Sequence, residues 1–217
     1  MTQRFPHLLL VFYLILFTLL AIHPYDRAVW FAENLPIMLI VAALVFSKRW
    51  FTFSNTAYLM MACLIVLHTI GGHFTFERVP FGWVTDFFGF SRNHYDRMAH
   101  FTVGFYAYPL AELLLFKSLV RSRLVLLLFP IFAIVTVAAV YEIFEWQYAV
   151  LADPSAGIAV LGSQGDIWDA QWDMFLALAG AMAAVPIFYR LHDRSMARLD
   201  KFDRHHLPPR GLRDDRK

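Results

Sequence analysis

The sequence predicts an all-α fold, a polytopic membrane bundle of about six transmembrane helices with both termini cytoplasmic. Three observations carry that expectation. Of the 217 residues, 59% are hydrophobic and 17% aromatic, and the mean hydropathy is +0.52; a soluble domain of this length cannot bury so much apolar surface. Six apolar stretches approach the roughly 20 residues that cross a bilayer core. Lys and Arg gather on one set of connections: Arg4, then Lys48 and Arg49, then Lys117, Arg121 and Arg123, then the tail from Arg190 onward. Only Arg27, Arg78, Arg92 and Arg97 fall on the other set. Basic connections stay cytoplasmic, so both ends are expected inside, in agreement with an even number of spans.

The stretches are 8–22, 28–46, 51–70, 98–116, 124–144 and 167–189. The first is short, with Arg4 before it, as in a signal peptide. No small-x-small cleavage site follows and five more spans do, so it is read as a helix. Pro36, Pro109, Pro130 and Pro186 fall within spans, where neighbouring helices can satisfy the freed carbonyls. The expected division is a six-helix transmembrane domain, 1–190, and a basic cytoplasmic tail, 191–217, amphipathic or disordered. Such a tail either rests on anionic headgroups or is simply solvated. Cys63 is the single cysteine, which excludes a disulfide within the chain and reads as a small core residue.

Ionisable residues within spans are costly and therefore informative. Traced with the direction of each helix, they gather near the outer face. His68 closes the third span and His73 follows it; Asp96 and His100 open the fourth; Glu142 and Glu145 close the fifth; Asp166, Asp169 and Asp173 open the sixth. Asp96 and His100 stand at i, i+4 and Glu142 and Glu145 at i, i+3. The three aspartates at i, i+3, i+7 make one helical stripe. Carboxylates packed so closely repel unless a cation or bound protons neutralise them. A divalent metal held by His68, His73, Asp96, His100, Asp166, Asp169 and Asp173 is the economical answer, and imidazole with carboxylate suits zinc, iron or manganese. Glu142 or Glu145 is then placed as a general base. Arg97 is placed either on an anionic group of the substrate or in an internal ion pair.

Each residue also has a plainer reading. Asp166 can cap the sixth helix, and His68 can be a hydrogen-bonded boundary residue. Trp146, Trp168 and Trp172 read as an interfacial belt, and Glu112 as snorkelling or pairing near Lys117. Glu33 and Asn34 could line the same cavity, although the first two spans read as mainly structural. The aromatic loop 71–95 reads as a re-entrant or interfacial lid, and the loop 147–165 as flexible. His192, His205 and His206 are assigned to the tail.

The strings His68-x-x-Gly71-Gly72-His73, Tyr95-Asp96-Arg97-x-x-His100, Tyr141-Glu142-x-x-Glu145-Trp146 and Gly165-Asp166-x-x-Asp169-x-x-x-Asp173 resemble the bacterial inner membrane family typified by YjdF. More distantly the chain is similar to VanZ-like proteins. Asp96, Arg97 and His100 match that family's Asp-Lys-x-x-His motif with Arg for Lys. Glu142 and Glu145 match its Glu-x-x-Gln, and Asp169, Asp173 and Gly180 its Asp-x-x-x-Asn before glycines. Two amides have become carboxylates, which favours a cation site. The resemblance implies the fold and location, in the bacterial inner membrane, without implying a reaction.

The leading functional expectation is a metal-dependent membrane enzyme, a hydrolase, acting on a lipid or lipid-linked envelope substrate at the outer leaflet. The alternatives are a cation- or proton-coupled transporter and a non-catalytic envelope-assembly protein. Membrane lipids are the expected partners, and nucleic acid is not.

Overall fold

The computed structural model describes residues 4–151, 154–161 and 163–206, and these contain helices and no strand. In chain order they are α1 (Arg4–Leu20), α2 (Arg27–Ser47), α3 (Asn55–Phe74), α4 (Gly82–Phe88), α5 (Tyr95–Val103), α6 (Ala107–Phe116), α7 (Arg123–Leu151), α8 (Pro154–Leu161) and α9 (Asp169–His206), with a 3-10 turn, Gly104–Tyr106, joining α5 to α6. Four segments are long and apolar enough to cross a membrane: α2, α3, α7 and the Asp169–His192 part of α9. α1 is apolar but shorter, at 17 residues.

The fourth stretch is broken rather than continuous. Pro109 has no N–H to give the Phe105 carbonyl, and its ring crowds that oxygen, so the preceding turn tightens to 3-10 geometry. Gly104 lies in the same turn, and its missing side chain has a separate use. A Cβ on Gly104 would collide with the α9 backbone at Gly180 and Ala181, and a Cβ on Gly180 with the carbonyl of Phe101. Around these glycines Ala107, Ala111, Ala177, Ala181 and Ala184 are buried. Small residues on both sides let two backbones touch, which is the main source of helix association where lipid removes the hydrophobic drive.

Side chains satisfy the helix ends. Asp26 accepts from the Ala28 and Val29 amides at 2.8 and 2.9 Å to start α2. Ser54 accepts from the Ala57 amide to start α3. Glu112 does not snorkel: it is buried and accepts from both the amide (2.7 Å) and hydroxyl (2.8 Å) of Ser54, so it locks the start of α3 to α6. Lys117 instead donates to the Trp50 carbonyl, and Lys48 meets His7 of α1. Arg4, Lys48 and Lys117 therefore mark one end of the bundle. His192 lies inside this bundle rather than in a separate tail, its Nε2 3.0 Å from the Tyr108 hydroxyl and its ring against Phe188. α9 runs without interruption past position 190 to His206; the rest of the tail, 207–217, lies outside the described residues.

At the other end, the stretch read as a flexible loop is largely helical. α7 continues to Leu151, and α8 packs back so closely that a Cβ on Gly157 would meet the Ala149 carbonyl. The aromatic loop divides in two. Phe76 and Val79 are buried against Tyr95 and Ala99, whereas α4 turns Trp83, Phe87 and Phe88 outward.

The glycine contact gives a direct test. Gly180→Val or Gly104→Val should lower the thermal midpoint of detergent-solubilised protein sharply, since overpacking a tight contact costs about 1–3 kcal/mol or more. Gly82→Ala, where an added Cβ meets nothing within 4 Å, should leave the midpoint unchanged.

Candidate functional site

Local chemistry sets the start of α5. Asn93 accepts from the Tyr95 amide at 2.9 Å and donates to the carbonyls of Glu77 and Val79 at 3.0 and 2.9 Å, stapling the aromatic loop to the helix start. Tyr95 donates its hydroxyl to the Leu67 carbonyl of α3. Asp96 and His100 then share one face, with His100 Nε2 3.5 Å from Asp96 Oδ1. The close seam with α9 brings Asp173 Oδ2 to 4.0 Å from the same nitrogen. One ligand atom from each of Asp96, His100 and Asp173 lies within 4.8 Å of the others, and all three residues are buried. The opposite ring nitrogen, Nδ1, faces Glu142 Oε1 at 3.9 Å. Asp173 Oδ1, His100 Nδ1 and Glu142 Oε1 are buried without a hydrogen-bond partner, and such atoms carry a desolvation cost unless something binds them.

The remaining expected ligands lie elsewhere. α9 begins at Asp169, so Asp166 precedes the helix and leaves the predicted stripe; its Oδ1 accepts from the Trp168 amide at 2.9 Å. Arg97 donates to Asp166 at 2.5 Å, and Arg92 donates to Asp169 at 2.7 Å and to the Ser163 carbonyl at 3.0 Å. Of the two roles placed on Arg97, the geometry has the internal ion pair, with its guanidinium also 5.2 Å over the Trp172 ring. These pairs tie the aromatic loop to the start of α9. His73 turns away, its Nδ1 donating to the Leu20 carbonyl at 2.7 Å.

His68 forms a second couple. Its Nε2 lies 3.0 Å from the Glu33 carbonyl and 3.3 Å from Glu33 Oε2, which also accepts from the Tyr141 hydroxyl at 3.3 Å. Glu33 and Asn34 are almost fully buried. α2 thus enters the polar interior, against the expectation that the first two spans are mainly structural. The Tyr141 ring stands 6.1 Å from His68 and 6.4 Å from His100, between the two couples. Glu145 is buried one turn beyond Tyr141. Sequence reasoning did not assign Arg92 a role. Its signal was its place five residues before Arg97, in a loop already rich in polar residues.

Residues 5–194 match the family described as "Predicted membrane protein (DUF2238)". The chain belongs to that family. It is also similar to the inner membrane protein YjdF of Escherichia coli (strain K12), with 32% identity over 179 residues, covering 82% of this chain and 85% of the relative. No solved structure matches. As a member of the family, the chain is a multi-pass protein of the inner membrane.

Outside the spans the electrostatics of the Arg latch are simple. The Trp168 amide first, and then Arg97, hold the Asp166 carboxyl below its usual range. Burial first, then Arg97 and Arg92, push His94 below the ordinary imidazole value, so at neutral pH its Nδ1 accepts from Arg97 at 3.2 Å. A carboxyl that titrates lower folded than unfolded stabilises the fold above its unfolded value. That contribution fades as pH falls through the lower native value. In a variant keeping Trp172 as its sole tryptophan and carrying His94→Gln, which removes the imidazole beside Arg97, fluorescence should therefore stay constant from pH 7 to about 4, near the unfolded Asp value, and change only below it. Asp166→Asn should produce the low-pH signal at pH 7.

Proposed function

We propose that this chain is a metal-dependent membrane enzyme acting on a lipid or lipid-linked envelope substrate in the outer leaflet. The supporting observation is the buried Asp96–His100–Asp173 group, whose ligand atoms lie within 4.8 Å of one another. Its donor set, one imidazole nitrogen and two carboxylate oxygens, fits zinc, iron or manganese with a position left open. His100 would bind through Nε2, leaving Nδ1 turned toward Glu142 at 3.9 Å, beyond hydrogen-bond reach. A bound ion of this kind supplies Lewis acidity and a water of lowered pKa. Asp96, Asp173 and Glu142 surround one imidazole, and a divalent cation offsets that excess of negative charge.

Charge along the chain supports the orientation. With Arg4, Lys48 and Lys117 at the cytoplasmic end, the polar interior opens at the outer leaflet and both termini face inward. The transporter reading draws on the buried Glu33–His68 couple. Beneath it, however, the interior is filled by Tyr108, Ala177, Ala181, Ala184 and Phe188, and a carrier needs its polar site near the midplane.

Elemental analysis of purified protein tests the proposal. Wild type should carry stoichiometric metal, which His100→Ala and Asp173→Asn should each lose and His73→Ala should keep. A wild type without metal, at the folded protein's normal thermal midpoint, overturns it.

A further inference from the structure

Building on the membrane-enzyme reading, we propose that a phospholipid with an ammonium headgroup, of the phosphatidylethanolamine class, enters this site sideways through the groove between α7 and α9. The groove is lined by Ala139, Glu142, Ile143 and Trp146 of α7 and by Met174 of α9. The four α7 residues stand at i, i+3, i+4, i+7, one face of the helix. Ile143 and Trp146 are 56% and 57% exposed, on a surface that lipid covers.

A carboxylate among apolar residues on such a surface is expensive. Glu142 nevertheless lies at its base, with a side chain only 10% exposed and Oε1 lacking a hydrogen-bond donor. The same oxygen is closed off from the surface and 3.9 Å from His100 Nδ1, so the Glu142 side chain is what separates the groove from the metal group, and the lipid enters by turning it outward. Ala139, Ile143 and Met174 suit an acyl chain, and Trp146 suits the interfacial region of a lipid. With a divalent ion on His100 balanced by Asp96 and Asp173, the polar end meets the uncompensated carboxylate of Glu142. That charge selects an ammonium over an anionic headgroup, and the ammonium supplies the donor that Glu142 Oε1 lacks. The arginines cannot reverse this preference, because Arg92 and Arg97 are engaged by Asp169 and Asp166.

Native mass spectrometry of protein loaded with phosphatidylethanolamine or phosphatidylglycerol of identical chains tests this. Wild type should retain the ethanolamine lipid about tenfold better, as one charged hydrogen bond would give. Glu142→Gln should abolish the preference. Ile143→Trp and Met174→Trp, which fill the groove from opposite walls, should lose both lipids. Val137→Trp, equally exposed at 57% on the opposite face of α7, should bind as wild type does. Equal retention of the two lipids by wild type, or unchanged retention in both groove variants, overturns the inference. Metal content measured on the same samples separates the two proposals. Selective lipid without metal removes the metalloenzyme and leaves the groove; metal without selective lipid does the reverse.

Discussion

The contact between the Gly104 turn and α9 is the constraint on which the polar interior depends. Asp96 and His100 ride on α5, immediately before that turn, and Asp173 lies two helical turns before Gly180. With a larger residue at either glycine, the backbones would move apart. Asp173 would then be carried away from His100, because ordinary helix pairs pack 8–10 Å apart. The Pro109 break helps by giving the fourth crossing a local change of direction just where it meets α9. A packing motif of small apolar residues is thus what assembles a group of charged ones.

The second constraint is electrostatic. Glu33, Asp96, Glu145, Asp169 and Asp173 are all buried, and Glu142 nearly so. Among the described residues Arg92 and Arg97 oppose them as permanent cations, and both are spent on Asp166 and Asp169. His68 serves Glu33, leaving His100 among three carboxylates. Unpaired charge in a low-dielectric interior is strongly disfavoured, so the interior is built to hold additional positive charge. The Arg pairs and the His100 group divide the work: the former fasten the aromatic loop over α9, while the latter keep lone pairs unused.

Much of this was legible in the residues. Each of the six apolar stretches falls on helix, and the i, i+4 spacing of Asp96 and His100 put them on one face because α5 does begin at Tyr95. The stripe of aspartates was misread for the converse reason: α9 begins at Asp169, a boundary that periodicity does not locate, and Asp166 became a turn residue. His73 was drawn toward the site by its neighbour His68, yet it sits on another face and spends its proton on Leu20. Glu33 and His192 were undervalued because a single polar residue in an apolar run carries no directional signal. Their partners, Tyr141 and Tyr108, are separated from them by 108 and 84 positions. The glycine seam escaped notice because small residues advertise neither charge nor period.

α1 has a consequence of a different kind. Its apolar part, between the basic Arg4 and the stop at Leu20, rises about 26 Å, less than the roughly 30 Å of a typical hydrocarbon core. His73 and Arg27 reach back to hold the carbonyls of Leu20 and Ala21, so the helix is stopped there rather than frayed. The wall of the bundle is therefore lower on this side than along α7. Lipid beside α1 must compress to meet it, a mismatch that costs fractions of a kcal/mol per Å. The protein consequently imposes an uneven thickness on its own annulus, and bilayers with shorter chains accommodate it at least cost.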